Sequence, residues 1–184
     1  MPRFSMLSAG RGSNFLNIIN RIADGSLPAE CCSLLSYNEN CGAMEIAKQN
    51  FIPTRLISDT NLIPTLLQDA PDLIVMSGYM RKLPEEIFVY FENKIINIHP
   101  SLLPSFGGKG CFGIHTHEKV LAAGVKITGV TVHYVTKDYD AGKIIAQSAV
   151  PVFDGDTPHS LADRVLQEEH ALYWKVIRDL LNLF

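Results

Sequence analysis

Strand-like and helix-like segments alternate through the first hundred residues, and this alternation limits the possible folds more than any other feature of the sequence. The clearest strand is residues 72–77, whose apolar side chains occupy both faces, as in a strand buried inside a parallel sheet. The alternation predicts an α/β fold, a doubly wound and mostly parallel sheet with flanking helices. Ligands bind beyond the carboxyl ends of the strands in such sheets, so we expect the loops after Ser8, Ser77 and Ile98 to line one site.

The hydrophobic patterns also predict the order of the elements. Predicted strands cover residues 4–8, 31–35, 54–57, 72–77, 94–98, 128–135 and 143–150. Predicted helices cover residues 15–22, 43–49, 62–68, 84–91 and 115–123, and a long last helix begins at residue 158. Pro84 is expected in the first turn of the predicted helix 84–91. Gly124 is expected to end the predicted helix 115–123. We expect one domain over residues 1–184, because a chain of this length usually builds a single core.

The composition, 47% hydrophobic and 19% charged, is that of an ordinary folded protein. The net charge of -3 and the pI of about 6.0 favour neither nucleic acid nor a membrane surface as a partner. No apolar run approaches the roughly 18 residues that a membrane-spanning helix needs. The four cysteines, Cys31, Cys32, Cys41 and Cys111, lack the spacing of a zinc site, which favours reduced thiols in a cytoplasmic protein.

The turn after the first predicted strand, Gly10-Arg-Gly-Ser-Asn14, is suited to binding an anion. Glycines let the backbone approach a ligand closely, and the free amides at a helix N-terminus attract negative charge. The pattern is equally typical of a tight turn in which Ser13 or Asn14 caps the helix without binding a ligand. Phe15 stands where a dinucleotide fingerprint needs its third glycine, and no P-loop lysine follows, so a single phosphate fits better than a pyrophosphate.

A second candidate site lies at the end of predicted strand 94–98. Asn97 and His99 are two residues apart and therefore point to the same face of an extended chain. An amide that hydrogen-bonds an oxyanion and an imidazole that donates a proton are the groups that acyl transfer uses. Asp140, in a polar loop between two later strands, can orient such an imidazole and favour its charged form. The same residues also suit a turn asparagine, a structural histidine and a turn aspartate, and the residues alone leave both interpretations open.

Seven short pieces of the sequence form an ordered set of motifs: Gly12-Ser-Asn14, Ser77-Gly-Tyr-Met-Arg81, Asn97-Ile-His-Pro-Ser-Leu-Leu-Pro104, His115-Thr-His117, Gly129-Val-Thr-Val-His133, Asp140-Ala-Gly142 and Glu169-His170. In this order they resemble the folate-dependent formyltransferases, most closely the branch that acts on phosphoribosylglycinamide. They extend over nearly the whole chain, and the run that begins at Asn97 is already specific for the superfamily. The resemblance implies a Rossmann-like formyltransferase fold.

The resemblance also implies a reaction. It is the transfer of a formyl group from 10-formyltetrahydrofolate, a co-substrate, to the amine of 5'-phosphoribosylglycinamide in purine biosynthesis, without a metal. Asn97, His99 and Asp140 are implied to be catalytic. The amine attacks the formyl carbon, Asn97 and protonated His99 stabilise the oxyanion, and Asp140 raises the basicity of His99 and helps to relay the proton.

Binding roles follow from the same resemblance. Gly12, Ser13 and Asn14 are implied to hold the substrate phosphate, and Glu169 the ribose hydroxyls. The full set implied to bind the acceptor substrate is Gly12, Ser13, Asn14, Gly78, Pro100 and Glu169. The set implied to border the folate is Met80, Arg81, Lys82, Leu83, Asn97, Thr136, Lys137, Asp138, Tyr139 and Asp140.

The chain departs from this family pattern in two loops. Residues 106–113 form a longer, glycine-rich connection that suggests a mobile loop over the substrate, and residues 54–62 are short and lack a basic folate contact. Formyltetrahydrofolate deformylase and a non-catalytic folate-binding relative stay open as alternatives. Methionyl-tRNA formyltransferase is disfavoured, because a chain that ends at Phe184 leaves no room for its C-terminal domain. The expected partners are small molecules, with no nucleic acid and no membrane, for a monomer or a homodimer.

Overall fold

The computed structural model describes residues 1–183, which form one sheet of seven strands with six helices around it. The strands are β1 (Arg3–Leu7), β2 (Glu30–Ser36), β3 (Thr54–Leu56), β4 (Leu73–Met76), β5 (Ile95–His99), β6 (Ile127–Tyr134) and β7 (Ile144–Pro151). The helices are α1 (Ser13–Ala23), α2 (Gly42–Gln49), α3 (Leu62–Asp69), α4 (Ile87–Tyr90), α5 (Ile114–Ala122) and α6 (Pro158–Leu181). None of the helices in residues 1–183 combines the length with the apolar composition that a membrane span requires.

The strand order is β3-β2-β1-β4-β5-β6-β7, and the predicted doubly wound, mostly parallel sheet is confirmed. Strands β1 to β5 pair in parallel, β6 pairs antiparallel to β5, and β7 pairs antiparallel to β6. Strand β2 lies on one side of β1 in the sheet and β4 lies on the other, so the direction in which the chain adds strands reverses after β3. This reversal creates a crevice at the carboxyl ends of β1 and β4, which is where ligands bind in sheets of this type.

Strand β4 lies at the centre of the core, as its continuous apolar run predicts. Leu73 and Val75 pack with α1, α2 and α6 on one face of the sheet, whereas Ile74 and Met76 pack with α3 and α4 on the other. The fully buried Tyr173 hydroxyl of α6 donates a 2.7 Å hydrogen bond to the Met76 carbonyl at the end of β4. Helix α6 is thereby fixed beside the crevice.

Most predicted elements are confirmed with shifts of one or two residues, but the predicted helix over 84–91 is wrong in its first part. Helix α4 contains only Ile87–Tyr90. The amides of Ile87, Phe88 and Val89 each bond to a carbonyl three residues earlier, so this segment is a series of tight turns rather than a full helix. Pro84 therefore precedes the helix. Gly124, at φ 67°, comes directly after Ala123, the C-cap of α5, as expected of a helix stop.

Candidate active site

The glycine turn places backbone amides at the end of β1. Gly12, in the left-handed region at φ 83°, is the N-cap of α1, so the alternative in which Ser13 or Asn14 caps the helix is wrong. Both residues lie in the first turn of the helix. The first intrahelical bond runs from the Leu16 amide to the Gly12 carbonyl at 2.8 Å, which leaves the amides before it available to a ligand.

Helix α2 packs directly against this turn, and the close contact explains Gly12 of the turn and Gly42 of the helix. A Cβ atom on Gly12 would lie 2.8 Å from the Cα of Ala43, and one on Gly42 would overlap the carbonyl oxygen of Arg11. The Ala43 amide donates to the Gly10 carbonyl at 3.2 Å. The turn is therefore held in one conformation by backbone packing as well as by its own dihedral angles.

Asn14 and Glu169 form a buried polar pair beside the turn. The Asn14 amide Nδ2 donates to Glu169 Oε2 at 2.6 Å, and the Asn14 Oδ1 atom is buried without a partner among residues 1–183. Burial raises the pKa of Glu169 to about 7, and the bond from Asn14 offsets part of that effect. The Asn14 side chain thus orients the carboxyl group, and its backbone amide is one of those without an intrahelical partner at the start of α1.

Asn97 and His99 share a face of β5, as their spacing predicts, and both line one cavity. His99 is almost fully buried. Its Nε2 lies 2.8 Å from the Phe106 carbonyl oxygen and its Nδ1 lies 3.5 Å from Asp140 Oδ2. Both ring nitrogens face acceptors, an arrangement that suits an imidazolium with two N–H groups.

The pKa of His99 nevertheless lies below its ordinary value, because burial outweighs the opposing effects of the Asp140 charge and the Phe106 carbonyl. The Asp140 charge by itself favours a higher pKa of His99, and the effect of burial exceeds it. Asp140 itself is held ionised. Burial alone would raise its pKa, but His133, the His99 charge and a 2.8 Å bond from the Gly108 amide together lower it.

Two further histidines, to which sequence reasoning attached no role, stand beside this trio. His133 of β6 lies opposite Asn97 in the antiparallel register, with its Nε2 3.4 Å from Asn97 Nδ2 and 3.6 Å from Asp140 Oδ1. Its Nδ1 faces the Tyr134 carbonyl oxygen at 2.9 Å, so the neutral tautomer with the proton on Nδ1 lets Nε2 accept from Asn97. A ring with protons on both nitrogens donates from Nε2 to Asp140 instead, and this is the contact that lowers the pKa of Asp140. Alternation along β6 indicates the face of His133, but its pairing with Asn97 depends on a register that alternation does not give.

His117 of α5 is buried at the same cavity wall. Burial, and secondarily the charge of His99, lowers its pKa to about 4, so its ring is neutral at neutral pH. Its Nδ1 atom has no partner among residues 1–183.

One cavity of about 1050 Å³ connects these groups, and every residue that the sequence predicted for the site lines it. The glycine turn, Gly78, Pro100 and Glu169 lie in its wall together with Asn97 and His99. The predicted folate residues follow β4 and β6 in the loops 80–83 and 136–140. The charged and histidine side chains that also line it without having been predicted are those of Arg11, Lys109, His117, His133, His159 and Asp163. Within residues 1–183, no group of three or more His, Cys, Asp or Glu side chains is arranged to hold a metal ion.

Comparison with known proteins relates this architecture to one family. The sequence matches the family described as formyl transferase over residues 2–177. It is 39% identical to a chloroplastic phosphoribosylglycinamide formyltransferase of Arabidopsis thaliana, over 95% of this chain and 64% of that protein. This chain thus spans less than two thirds of the length of that relative.

Two bacterial proteins match over more of their own length. A phosphoribosylglycinamide formyltransferase of Bacillus subtilis is 34% identical over 100% of this chain and 96% of its own. A solved structure, glycinamide ribonucleotide transformylase 1 from Symbiobacterium toebii, superposes with a TM-score of 0.91 at 34% identity, over 99% of this chain and 88% of that one.

Proposed function

We propose that this chain, which belongs to the formyl transferase family, transfers the formyl group of 10-formyltetrahydrofolate to the amine of phosphoribosylglycinamide. The observation that carries the proposal is that Asn97, His99 and Asp140 meet at the wall of one cavity that also contains the glycine turn. A phosphate anchored at the turn would leave the rest of the acceptor to extend towards Asn97 and His99. The relatives named for this activity support the same acceptor.

In the proposed mechanism the amine nitrogen attacks the formyl carbon, and the carbonyl electrons move onto oxygen. Asn97 Nδ2, oriented by His133 Nε2 at 3.4 Å, donates a hydrogen bond to this oxyanion. His99 supplies a second donor and, through the ionised Asp140, keeps its ring orientation. The intermediate then breaks the bond from carbon to N10 of the folate. N10 gains one proton and the former amine loses one, so the transfer releases tetrahydrofolate and a formamide.

The Phe106 carbonyl accepts from His99 Nε2 at 2.8 Å and would have to move before this proton reaches the substrate. Phe106 begins the glycine-rich segment expected to be mobile, and Gly108 of that segment donates to Asp140 Oδ2 at 2.8 Å. Movement of this segment would therefore change both ends of the His99–Asp140 pair. The cavity walls formed by loops 80–83 and 136–140 offer backbone groups and the apolar Leu83 and Met80 side chains to the folate ring.

The proposal treats residues 1–184 as one formyltransferase domain. It is supported by three clusters of buried hydrophobic side chains that pack against the same sheet. Four cysteines without disulfide partners among residues 1–183 fit the reducing cytoplasm that the sequence suggested.

The test is to mix the purified chain with phosphoribosylglycinamide and 10-formyltetrahydrofolate and to follow the release of tetrahydrofolate. We expect release only when the amine is present. Release without the amine would indicate deformylation by water. Folate binding without any release would refute the catalytic proposal and favour a binding protein.

A further inference from the structure

We infer that Arg11 is a second recognition group for the phosphate of the acceptor substrate and covers the anion from the side opposite the α1 amides. This inference rests on the proposed function, because it adds a specificity-determining residue to the same site. Neither the glycine pattern nor the predicted set of substrate-binding residues included it.

Arg11 lies between Gly10 and Gly12, is exposed, and lines the same cavity as Ser13 and Asn14. Among residues 1–183 its guanidinium group forms no hydrogen bond, ion pair or ring contact. By contrast, several other arginines have such partners: Arg81 stacks on Tyr37 and Arg164 binds Asp156 through two nitrogens. A cation without a partner at the wall of a binding cavity is available to an anionic ligand.

The base of this side chain is fixed in position. Gly42 packs so closely against the Arg11 carbonyl that a Cβ there would overlap it, and the neighbouring Gly10 carbonyl accepts from Ala43 at 3.2 Å. The side chain therefore starts from a rigid turn, one residue away from the N-cap of α1. The side chain itself is exposed at the cavity wall, next in sequence to that N-cap.

The distribution of charge in the cavity indicates why such a group is needed. The α1 amides and dipole together offer roughly half a positive charge, whereas a phosphate monoester carries close to two negative charges at neutral pH. Arg81, Lys82 and Lys137, which also line the cavity, lie on the loops predicted to border the folate, and Lys109 lies on the segment near Asp140. Arg11 is the full positive charge that the glycine turn itself contributes.

Asn14 provides an independent sign that a ligand binds here. Its side chain is 5% exposed and lines the cavity, and its Oδ1 atom has no hydrogen-bond donor among residues 1–183. A buried acceptor of this kind costs free energy unless a donor from a ligand or water satisfies it. A ribose hydroxyl of a substrate whose phosphate lies between Arg11 and the α1 amides is such a donor.

The test measures binding of two ligands by calorimetry, phosphoribosylglycinamide and the same ribonucleoside without its phosphate. Arg11→Ala should raise the Kd of the phosphorylated ligand about tenfold, the scale of one charge-assisted hydrogen bond. The Kd of the unphosphorylated ligand and that of folate should not change. Arg11→Lys should lose less, since it keeps the charge but not the forked geometry. Lys48→Ala, which removes an exposed positive charge outside the cavity, is the matched control and should bind both ligands as the wild type does.

Selective loss for the phosphorylated ligand in Arg11→Ala supports the inference. Unchanged affinity, or an equal loss for both ligands, overturns it while leaving formyl transfer intact, provided that the wild type prefers the phosphorylated ligand. If the wild type itself shows no such preference and releases no tetrahydrofolate, the proposed function fails together with the inference.

Discussion

Replacing Glu169 by glutamine should change how the stability of the protein depends on pH. Burial raises the pKa of this carboxyl from 4.5 to about 7 in the folded chain. The folded state then holds a proton that the unfolded state releases, so folding stability falls as pH rises through this interval. Each pKa unit corresponds to 1.36 kcal/mol, and the carboxyl therefore costs the wild type about 1 kcal/mol at pH 5 and about 3 kcal/mol at pH 8.

The glutamine side chain does not titrate, has nearly the same shape as the glutamate, and can still accept the bond from Asn14 Nδ2. We expect the free energy of unfolding of Glu169→Gln, relative to wild type, to increase by about 2.5 kcal/mol between pH 5 and pH 8. The assay is urea unfolding at several pH values, read as the difference between the two proteins, so that all other titrating groups cancel. Asp163→Asn, which removes an exposed carboxylate from the same helix, is the control and should follow the wild-type curve.

Parallel curves for Glu169→Gln and wild type from pH 5 to pH 8 would refute this reasoning. They would mean that Glu169 is solvated or paired well enough to ionise at its ordinary pKa. In that case the polar pair with Asn14 would not be the buried neutral unit that the packing indicates.

Three further substitutions test the site. His99→Ala should lower kcat at least about a hundredfold, the scale of a positioned proton donor, without changing the far-ultraviolet circular dichroism; near-normal turnover would remove His99 from the chemistry. Asp140→Asn should lower kcat similarly and move the alkaline limb of the pH–rate profile to lower pH, because loss of the carboxylate lowers the pKa of a His99 that acts when protonated; an unmoved limb would contradict this role. Gly12→Ala should destabilise the fold by about 2 kcal/mol or more, since the new Cβ meets the α2 backbone as well as an unfavourable φ. The control is Gly155→Ala, at φ 87° with open space around it, which has only the dihedral cost of about 1 kcal/mol. If thermal melts showed the same loss of stability for both alanine variants, packing of Gly12 against α2 would not matter.

The Gly12 packing also limits what substitution there can show about binding. Any side chain at this position displaces α2, so a loss of phosphate affinity would be mixed with a loss of structure. Arg11, whose side chain is exposed, separates the two effects.

The parts of the fold that were predictable from sequence are those that depend on local pattern. The apolar run of β4, the two-residue spacing of Asn97 and His99, and the loops that end parallel strands all follow from periodicity and from the rule for α/β sheets. The family was equally predictable, because a specific run of residues carries it, and the match over residues 2–177 confirms it.

The contacts that turn these residues into a site depend on tertiary geometry instead. Asp140 reaches His99 because it adopts φ 53° and because Gly142 is packed so tightly against the Tyr134 carbonyl that a side chain there would overlap it. Asn14 meets Glu169 across 155 positions of sequence. Neither contact leaves a periodic signal, so the catalytic and binding roles of these residues stay predictions that mutation must test.

The electrostatics of the cavity differ between its two ends, and this difference bears on how one site can handle two substrates. Near the glycine turn, Glu169 carries the only buried carboxyl among the described cavity residues of α6. Its pKa of about 7 limits its repulsion of an anion. Near β5 the carboxyl of Asp140 is held ionised by His133, His99 and the Gly108 amide, which favours a positive charge on His99 when an oxyanion forms. Burial thus reduces negative charge where the phosphate is proposed to bind, whereas contacts with His133, His99 and the Gly108 amide maintain it at Asp140. These charges support the proposal that the acceptor substrate is held by its phosphate at one end and is activated at the other.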